Sequence, residues 1–361
     1  MRGAGIAGLQ TAVSILEKVK AGDGDGEGRV DDGERRVQVV VVAEHLPGDR
    51  DAKYCSPWAG ADWEARKGEE GRELAKGKGG GPGLKGKNGS GSTSGEESFW
   101  RSHSSRGGGP GPDPDKRVRD WERTTYLAWR KEIERYNSTG EKNPTGMAFV
   151  ECNYFLGNDY HGQEIDEGGV WFEDVVEGYE EPPMDRERQI MFTEKMGPGW
   201  DVRKAVKYKT ICVDVNVYLQ YLSNRVISLG GTITRATLRT THGLEGLIQD
   251  ARSLLGKEID ILVNCAGLGA RSFLSEDEAG KLYPVRGQTV LVKGEAAKCY
   301  TFVGVPGREE ELCYVIPRPG SGTTVLGGCK QVGRGEEGGG GEWWGGRGEG
   351  GRGGGEGGGG G

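Results

Sequence analysis

The run Asp260-Ile261-Leu262-Val263-Asn264-Cys265-Ala266-Gly267-Leu268-Gly269-Ala270-Arg271 changes character halfway along. Ile261, Leu262 and Val263 have the composition of a short buried strand. The second half is too rich in small residues to continue it. Gly267 and Gly269 carry no Cβ, so the backbone there can pass close to a ligand. Just upstream, 214–229 reads as an amphipathic helix with Val217, Leu219, Tyr221, Leu222, Val226 and Ile227 as its apolar contacts, stopped by Gly230-Gly231. Residues 232–238 alternate as a strand does, and 244–255 reads as a short helix. Together these predict a β-α unit that returns to the sheet of a first domain.

The chain opens with a complementary signal. Met1-Arg2-Gly3-Ala4-Gly5-Ile6-Ala7-Gly8 contains G-x-G-x-x-G, and Ile6, Leu9, Val13 and Leu16 follow at helical spacing. This is the loop and helix of a dinucleotide fingerprint. Gly3 would make the tight turn, Gly5 would admit a pyrophosphate, and Gly8 would let helix and strand pack closely. The helix start offers unpaired N–H groups and a positive dipole end to phosphate. A chance match is the competing explanation in a chain with 69 Gly. Context favours the fingerprint: a polar loop over 21–36 leads to a buried strand over 37–44, which ends in Glu44 where a ribose-binding acid is expected. The bland alternative for Glu44 is an exposed strand-end carboxylate. Only Met1 and Arg2 precede Gly3, so the sequence predicts a sheet without its usual first strand.

Between these ends the signals are weaker. In Ser56-Pro57-Trp58-Ala59-Gly60-Ala61-Asp62-Trp63, small residues between two Trp suit a loop pressed against a flat ring, or an ordinary loop with half-buried aromatics. Residues 119–136 read as a helix packed through Trp121, Thr125, Ala128 and Trp129. The mixed stretch 146–206 is expected to give strands and loops of a second domain.

Composition bounds the rest. The 361 residues allow two domains. Glycine concentrates in an insertion and a tail that cannot bury enough apolar surface to offset the entropy of ordering, so both are expected to be disordered. A net charge of -7 argues against nucleic acid as the main partner. The basic part of the insertion reads as solvated rather than as an RGG-type nucleic-acid contact. Seven scattered Cys suggest reduced thiols inside a cell, and four His, none beside a Cys pair, give no zinc pattern, so no metal is expected. No apolar run approaches the ~20 residues of a membrane span, and no signal peptide is evident.

These segments resemble the D-amino-acid oxidase family, its fungal members in particular. The resemblance runs in family order through 3–16, 39–47, 56–63, 121–129, 214–238 and 260–328. V-N-C-A-G-L-G-A-R-S, R-G-Q-T-V-L-V-K (286–293) and Y-V-I-P-R-P-G (314–320) are its specific motifs. It implies an α/β and α+β architecture. A Rossmann-like FAD-binding domain would cover 1–63, 116–145 and 207–284, and a mixed-sheet substrate domain 146–206 and 285–332. The insertion (64–115) and the Gly-rich tail (333–361) stand outside both.

The same resemblance assigns roles. Gly3, Ala4, Gly5, Ile6 and Gly8 would hold the FAD pyrophosphate. Glu44 and His45 would lie at the adenosine ribose, where the family more often has Asp or Arg. Ser56 would approach the phosphates and ribityl chain, and Ala59, Gly60 and Ala61 would line the flavin ring. Thr237 would contact the adenine side through its backbone. Cys265, Ala266, Gly267 and Leu268 would pass by the cofactor, and Arg286 and Gly287 would flank the isoalloxazine. Tyr314 would bind the substrate carboxylate. The implied reaction converts a D-amino acid and molecular oxygen to a 2-oxo acid, ammonia and hydrogen peroxide by hydride transfer from Cα, with orientation and electrostatics carrying catalysis. A homodimer in the peroxisome is the family expectation. The terminal Gly residues are no peroxisomal tripeptide, which leaves the cytoplasm open.

The family pattern also continues beyond 323–328, with an arginine that pairs with the substrate carboxylate. The Gly/Glu/Arg/Trp tail does not match it, so the expectation is of a chain truncated at both ends. Two rival readings therefore stand: an inactive remnant or binding-only pseudoenzyme, and an NAD-linked dehydrogenase built on G-x-G-x-x-G and Glu44.

Overall fold

The computed structural model describes residues 4–24, 37–64, 114–157, 171–185, 202–303, 311–329, 331 and 332. Gly3, the 333–361 tail and nearly all of the 64–115 insertion lie outside them.

The chain begins with α1 (Ile6–Gly24), which takes in the first residues of the expected 21–36 loop. Leu9, Ala12, Val13 and Leu16 of α1 are buried. Strand β1 (Val40–Ala43) follows, then α2 (Pro114–Thr139). The buried stripe of α2 is Tyr126, Ile133 and Tyr136, with Trp129 packed beside them. This corrects the expected face. Trp121 is 59% exposed, under the Arg117 guanidinium 5.0 Å from its ring centre. Tyr126 wins the core because its hydroxyl can donate to Lys209 O (3.0 Å).

Four elements make one half of the larger sheet, from its edge to its middle: β3 (Glu177–Glu180), β4 (Val202–Val213), β2 (Met147–Gly157) and β8 (Cys299–Val303). The remaining strands are β5 (Thr232–Arg235), β6 (Val285–Arg286), β7 (Thr289–Lys293), β9 (Glu311–Arg318), β10 (Thr323–Cys329) and β11 (Gln331–Val332). The seven-stranded sheet runs β3-β4-β2-β8-β9-β10-β7. It is mixed: β2 and β8 are parallel, and its other pairs are antiparallel. On the β3 edge, Glu177 lies opposite Lys209 and Glu180 opposite Lys207. Such exposed pairs set register more than they stabilise.

Helix α3 (Val215–Ser228) leaves β4 directly, because Asp214 ends the strand and caps the helix by accepting from Asn216 N–H (3.0 Å). Val215, Tyr218, Leu219, Leu222 and Val226 are buried against the core and α1. Val217 and Ile227, expected among the contacts, face solvent, with Ile227 60% exposed. Gly230 (φ 91) ends the helix in a conformation that L side chains avoid. The chain then enters β5, which pairs in parallel with β1 from Val40↔Thr232 to Ala43↔Arg235. Helix α4 (Gly243–Leu255) ends on Gly256 in the left-handed region (φ 62).

The strand expected at 260–264 does not form. The segment is extended but has no ladder partner among the described residues, and Ile261 is 81% exposed. A strand needs hydrogen bonds to a neighbour, and among the described residues the sheet nearest to it in sequence pattern is only the β1–β5 pair. The turn that follows is a 3-10 segment (Gly267–Ser272), succeeded by the short α5 (Glu276–Gly280). Among the described residues no helix is long and apolar enough to cross a membrane.

The packing of α3 yields a direct test. Leu219→Ala should cost about 2–5 kcal/mol of unfolding free energy, and Ile227→Ala less than about 0.5 kcal/mol, by chemical denaturation.

Candidate active site

Residues 60–64 run as an extra strand along β4, beyond the point where β3 ends. Val213 N–H donates to Ala61 O (2.9 Å), and Trp63 N–H donates to Ile211 O (2.9 Å). Asp62 lies opposite Cys212 in an antiparallel bridge. An extended chain alternates its faces. Ala61 and Trp63 therefore enter the core, where the Trp63 ring meets Tyr126 and Phe172 edge-on. Gly60, Asp62 and Glu64 turn the other way and line a cavity of about 270 Å³.

Strands β8 and β9 supply the other walls: Thr301, Phe302, Val303, Cys313, Tyr314 and Ile316. Tyr314 is seated by two glycines. A Cβ on Gly327, its partner in β10, would overlap the Tyr314 ring, and a Cβ on Gly60 would lie 3.4 Å from it. Burial, then the nearby Asp62 carboxyl, raises the Tyr314 pKa, which keeps the phenol a donor. Glu64 accepts from the Tyr154 hydroxyl (2.8 Å). Burial pushes the Asp62 carboxyl up to about 7, and Glu64 adds to the rise. The Cys299 thiol donates to Asp62 Oδ2 at 3.4 Å.

Arg318, at the end of β9, is only 5% exposed. Its Nη2 donates to Pro57 O (3.3 Å) and Ala59 O (3.0 Å), tying the 57–59 turn to the sheet. Its Nε has no hydrogen-bond partner among the described residues.

The second group of expected residues meets at the start of α1. Ala4 N–H donates to His45 O (3.2 Å), and the Tyr54 hydroxyl donates to Ala4 O (2.6 Å). Ser56 Oγ accepts from Ile6 N–H (3.3 Å) and sits 2.9 Å from where a Gly5 Cβ would be. Ala4, Gly5, Ile6, His45 and Ser56 are thus one cluster, with Gly8 buried in the first turn and Glu44 at the end of β1. His45 stacks on Tyr54 at 6.0 Å. Arg235, at the end of β5, donates to Glu44 O (3.2 Å) and holds both oxygens of Asp49 (2.6 and 3.0 Å). That fork, then the Leu46 N–H, lowers the Asp49 pKa to about 2.

This cluster fits the diphosphate end of a dinucleotide. The helix has no acidic residue in its first turn, the missing Gly5 side chain lets Ser56 Oγ come up against the helix start, and an acid stands at the strand end. At the other expected contact points the picture is different. Gly60 owes its lack of a side chain to packing, since Val325, Ile316 and Tyr314 already surround its Cβ position. Ala59 gives its carbonyl to Arg318. Ala266 is buried in a separate cluster with Val42, Leu238 and Leu247, while Gly267 (φ 55) and Leu268 are exposed and Cys265 is half-buried. Thr237 is exposed just after β5. Arg286 lies in β6, paired with Gln331 of β11, and Gly287 follows it, exposed. Asp62 and Glu64 were missed in the sequence. Their signal was the alternation through 60–64, which becomes visible only once Trp63 is known to face the core.

Comparison with known proteins identifies the class. The FAD dependent oxidoreductase (DAO) family model matches residues 3–343. The chain belongs to that family and is a flavin oxidoreductase of the D-amino-acid oxidase type. It is 24% identical over 339 residues to the D-amino-acid oxidase of Fusarium vanettenii, covering 92% of this chain and 71% of that protein. It is 28% identical over 221 residues to the D-amino-acid oxidase of Rubrobacter xylanophilus, covering 61% of this chain and 55% of that one. A D-aspartate oxidase of Talaromyces thermophilus is 30% identical over 137 residues, 38% of this chain and 32% of that protein. Among solved structures, iminodiacetate oxidase from Chelativorans sp. BNC1 superposes with a TM-score of 0.42 at 11% identity, covering 93% of this chain and 72% of that one.

Two outcomes follow from the site. Gly327→Ala should destabilise by about 1–3 kcal/mol by chemical denaturation, because the new methyl group displaces the Tyr314 ring. The Asp49 carboxyl is lowered on folding, so its contribution is complete above its unfolded value of 3.8 and is lost as pH falls toward about 2. Asp49→Asn should therefore flatten the acid limb of the stability–pH curve between about pH 4 and 2, measured by denaturation at low salt.

Proposed function

We propose that the chain binds FAD and catalyses oxidative deamination of D-amino acids in the cavity beneath Tyr314. The observation that carries this reading is the convergence of a half-buried phenol donor with the Gly60 edge on one cavity. FAD, when bound, supplies the hydride acceptor and passes the electrons on to oxygen. On this reading Gly3, Ala4, Gly5, Ile6, Gly8, Glu44, His45 and Ser56 hold its adenosine diphosphate end. Ala59, Gly60 and Ala61 line the flavin ring and Arg286 and Gly287 flank it, Cys265, Ala266, Gly267 and Leu268 pass by the cofactor, and Thr237 contacts the adenine side through its backbone.

The described side chains then have definable work. Tyr314 donates a hydrogen bond to the substrate carboxylate, its proton retained because burial raises its pKa. Asp62 and Glu64 face the substrate amine on the opposite wall, and Asp62, its pKa lifted by burial to about 7, takes the ammonium proton so that the amine is neutral when hydride leaves Cα. Arg318 holds the 57–59 turn so that Gly60 stays against the Tyr314 ring. Hydrolysis of the imino acid in water gives the 2-oxo acid and ammonia. The same reading carries peroxisomal residence and a homodimer.

One observation favours a second reading. The described lining sets two carboxylates and no guanidinium against a substrate carboxylate, and Arg318 is already engaged by two carbonyls. A lone tyrosine neutralises a buried carboxylate poorly. That arrangement suits a protein that binds flavin without turning over.

The FAD-loaded chain should release hydrogen peroxide and pyruvate from D-alanine and not from L-alanine. Tyr314→Phe should raise KM by about 10- to 100-fold through loss of one hydrogen bond to a charged group. Flavin retention with no peroxide from any D-amino acid would establish the binding-only reading instead.

A further inference from the structure

Beside the cavity lie two buried thiols that the proposed reaction does not use, and Asp62 is shared between them and the cavity. Cys152 of β2 and Cys299 of β8 are buried directly opposite each other in the parallel ladder. Asp62 approaches both from the 60–64 edge. One donor atom from each of Asp62, Cys152 and Cys299 lies within 4.8 Å of the other two. The Asp62 Oδ2 to Cys299 Sγ separation is 3.4 Å.

We propose that Asp62, Cys152 and Cys299 form a binding site for one thiophilic divalent ion of the zinc class. Metal–sulfur and metal–oxygen bonds of about 2.3 and 2.0 Å around a tetrahedral ion put sulfur and oxygen roughly 3.5 Å apart. The observed 3.4 Å separation already has that value. Two sulfurs and one carboxylate select zinc or cadmium over magnesium or calcium, which take oxygen ligands.

The positions are fixed by strand pairing, not by a flexible loop. Cys152 and Cys299 are held by the β2–β8 register, and Asp62 by its bridge to Cys212. Cys212 and Tyr208, both buried on β4, pack around the group: Cys212 lies opposite Asp62, and Tyr208 lies opposite Cys152 in the β2–β4 ladder. Asp62 also lines the 270 Å³ cavity, which gives the ion an entry route and water as a fourth ligand. As the metal–sulfur bonds form, each of the two thiols releases one proton to solvent, leaving thiolates on the ion. The three ligands are scattered along the chain, so no local Cys or His spacing announces them. The site stands independently of FAD binding.

The test uses the full chain, purified metal-free with a non-thiol reductant and titrated with cobalt(II). The expected result is sulfur-to-cobalt charge-transfer absorption in the near ultraviolet and tetrahedral ligand-field bands in the visible. Both should saturate at one ion per chain and vanish when zinc is added. Cys299→Ser should at least halve the charge-transfer band, Asp62→Asn should weaken binding by at least about tenfold, and Cys55→Ser, an exposed cysteine, should change nothing. Absence of charge transfer in the wild-type chain overturns the proposal. An undiminished spectrum in Cys299→Ser does the same. Should that variant not fold, unchanged cobalt affinity in Asp62→Asn does so in its place.

Discussion

Two backbone hydrogen bonds, Val213 N–H to Ala61 O and Trp63 N–H to Ile211 O, each 2.9 Å, hold a loop segment on the edge of β4. Much else depends on them. They fix the alternation of 60–64, so that the Trp63 ring fills the core while Gly60, Asp62 and Glu64 face the cavity. They also tie the turn at 57–59, which reaches the start of α1 through Ser56, to the large sheet. Thr210 Oγ1 reinforces the join by donating to Trp63 O (2.6 Å), and Trp63 Nε1 by donating to Glu122 O (2.9 Å) on α2. One slip of register would send Trp63 into the cavity and Asp62 into the apolar core, an outcome costly on both counts.

The cavity is electrostatically unusual. Asp62 and Glu64 share its wall with Tyr314, and burial of Asp62 is what lifts its pKa to about 7. Protonation of Asp62, a cationic amine, or a bound metal ion would each relieve the same strain. Tyr314 is steadier. Its ring is clamped over Gly327 and against Gly60, so the hydroxyl is positioned by packing. Positioning by rigid packing is what an orientation-based catalyst requires.

Much of this was legible in the sequence where local chemistry decided it. Asp214 read as the start of α3 and Gly230 as its stop, because capping and left-handed backbone are properties of single residues. The helix that follows Gly5, the end of β1 before Glu44 and the strand after Gly231 were legible from local pattern too. Tertiary packing decided the rest. Trp121 was a natural candidate for the core, yet Tyr126 takes that place because a carbonyl on β4 receives its hydroxyl. Ile261 to Val263 have strand composition but no described neighbour to pair with, and composition does not supply a neighbour. Asp62, Cys152 and Cys299 converge from three strands far apart in the chain, which no spacing rule detects.

On the proposed reading, the Gly60 edge and Tyr314 face one functional flavin site. The most direct measurement is the visible absorbance of the chain loaded with FAD, recorded without oxygen before and after D-alanine is added. The account predicts a retained flavin band that bleaches on addition of substrate and returns when oxygen is admitted. A chain that releases its flavin on gel filtration, or keeps it with a spectrum unchanged by any D-amino acid, would contradict it.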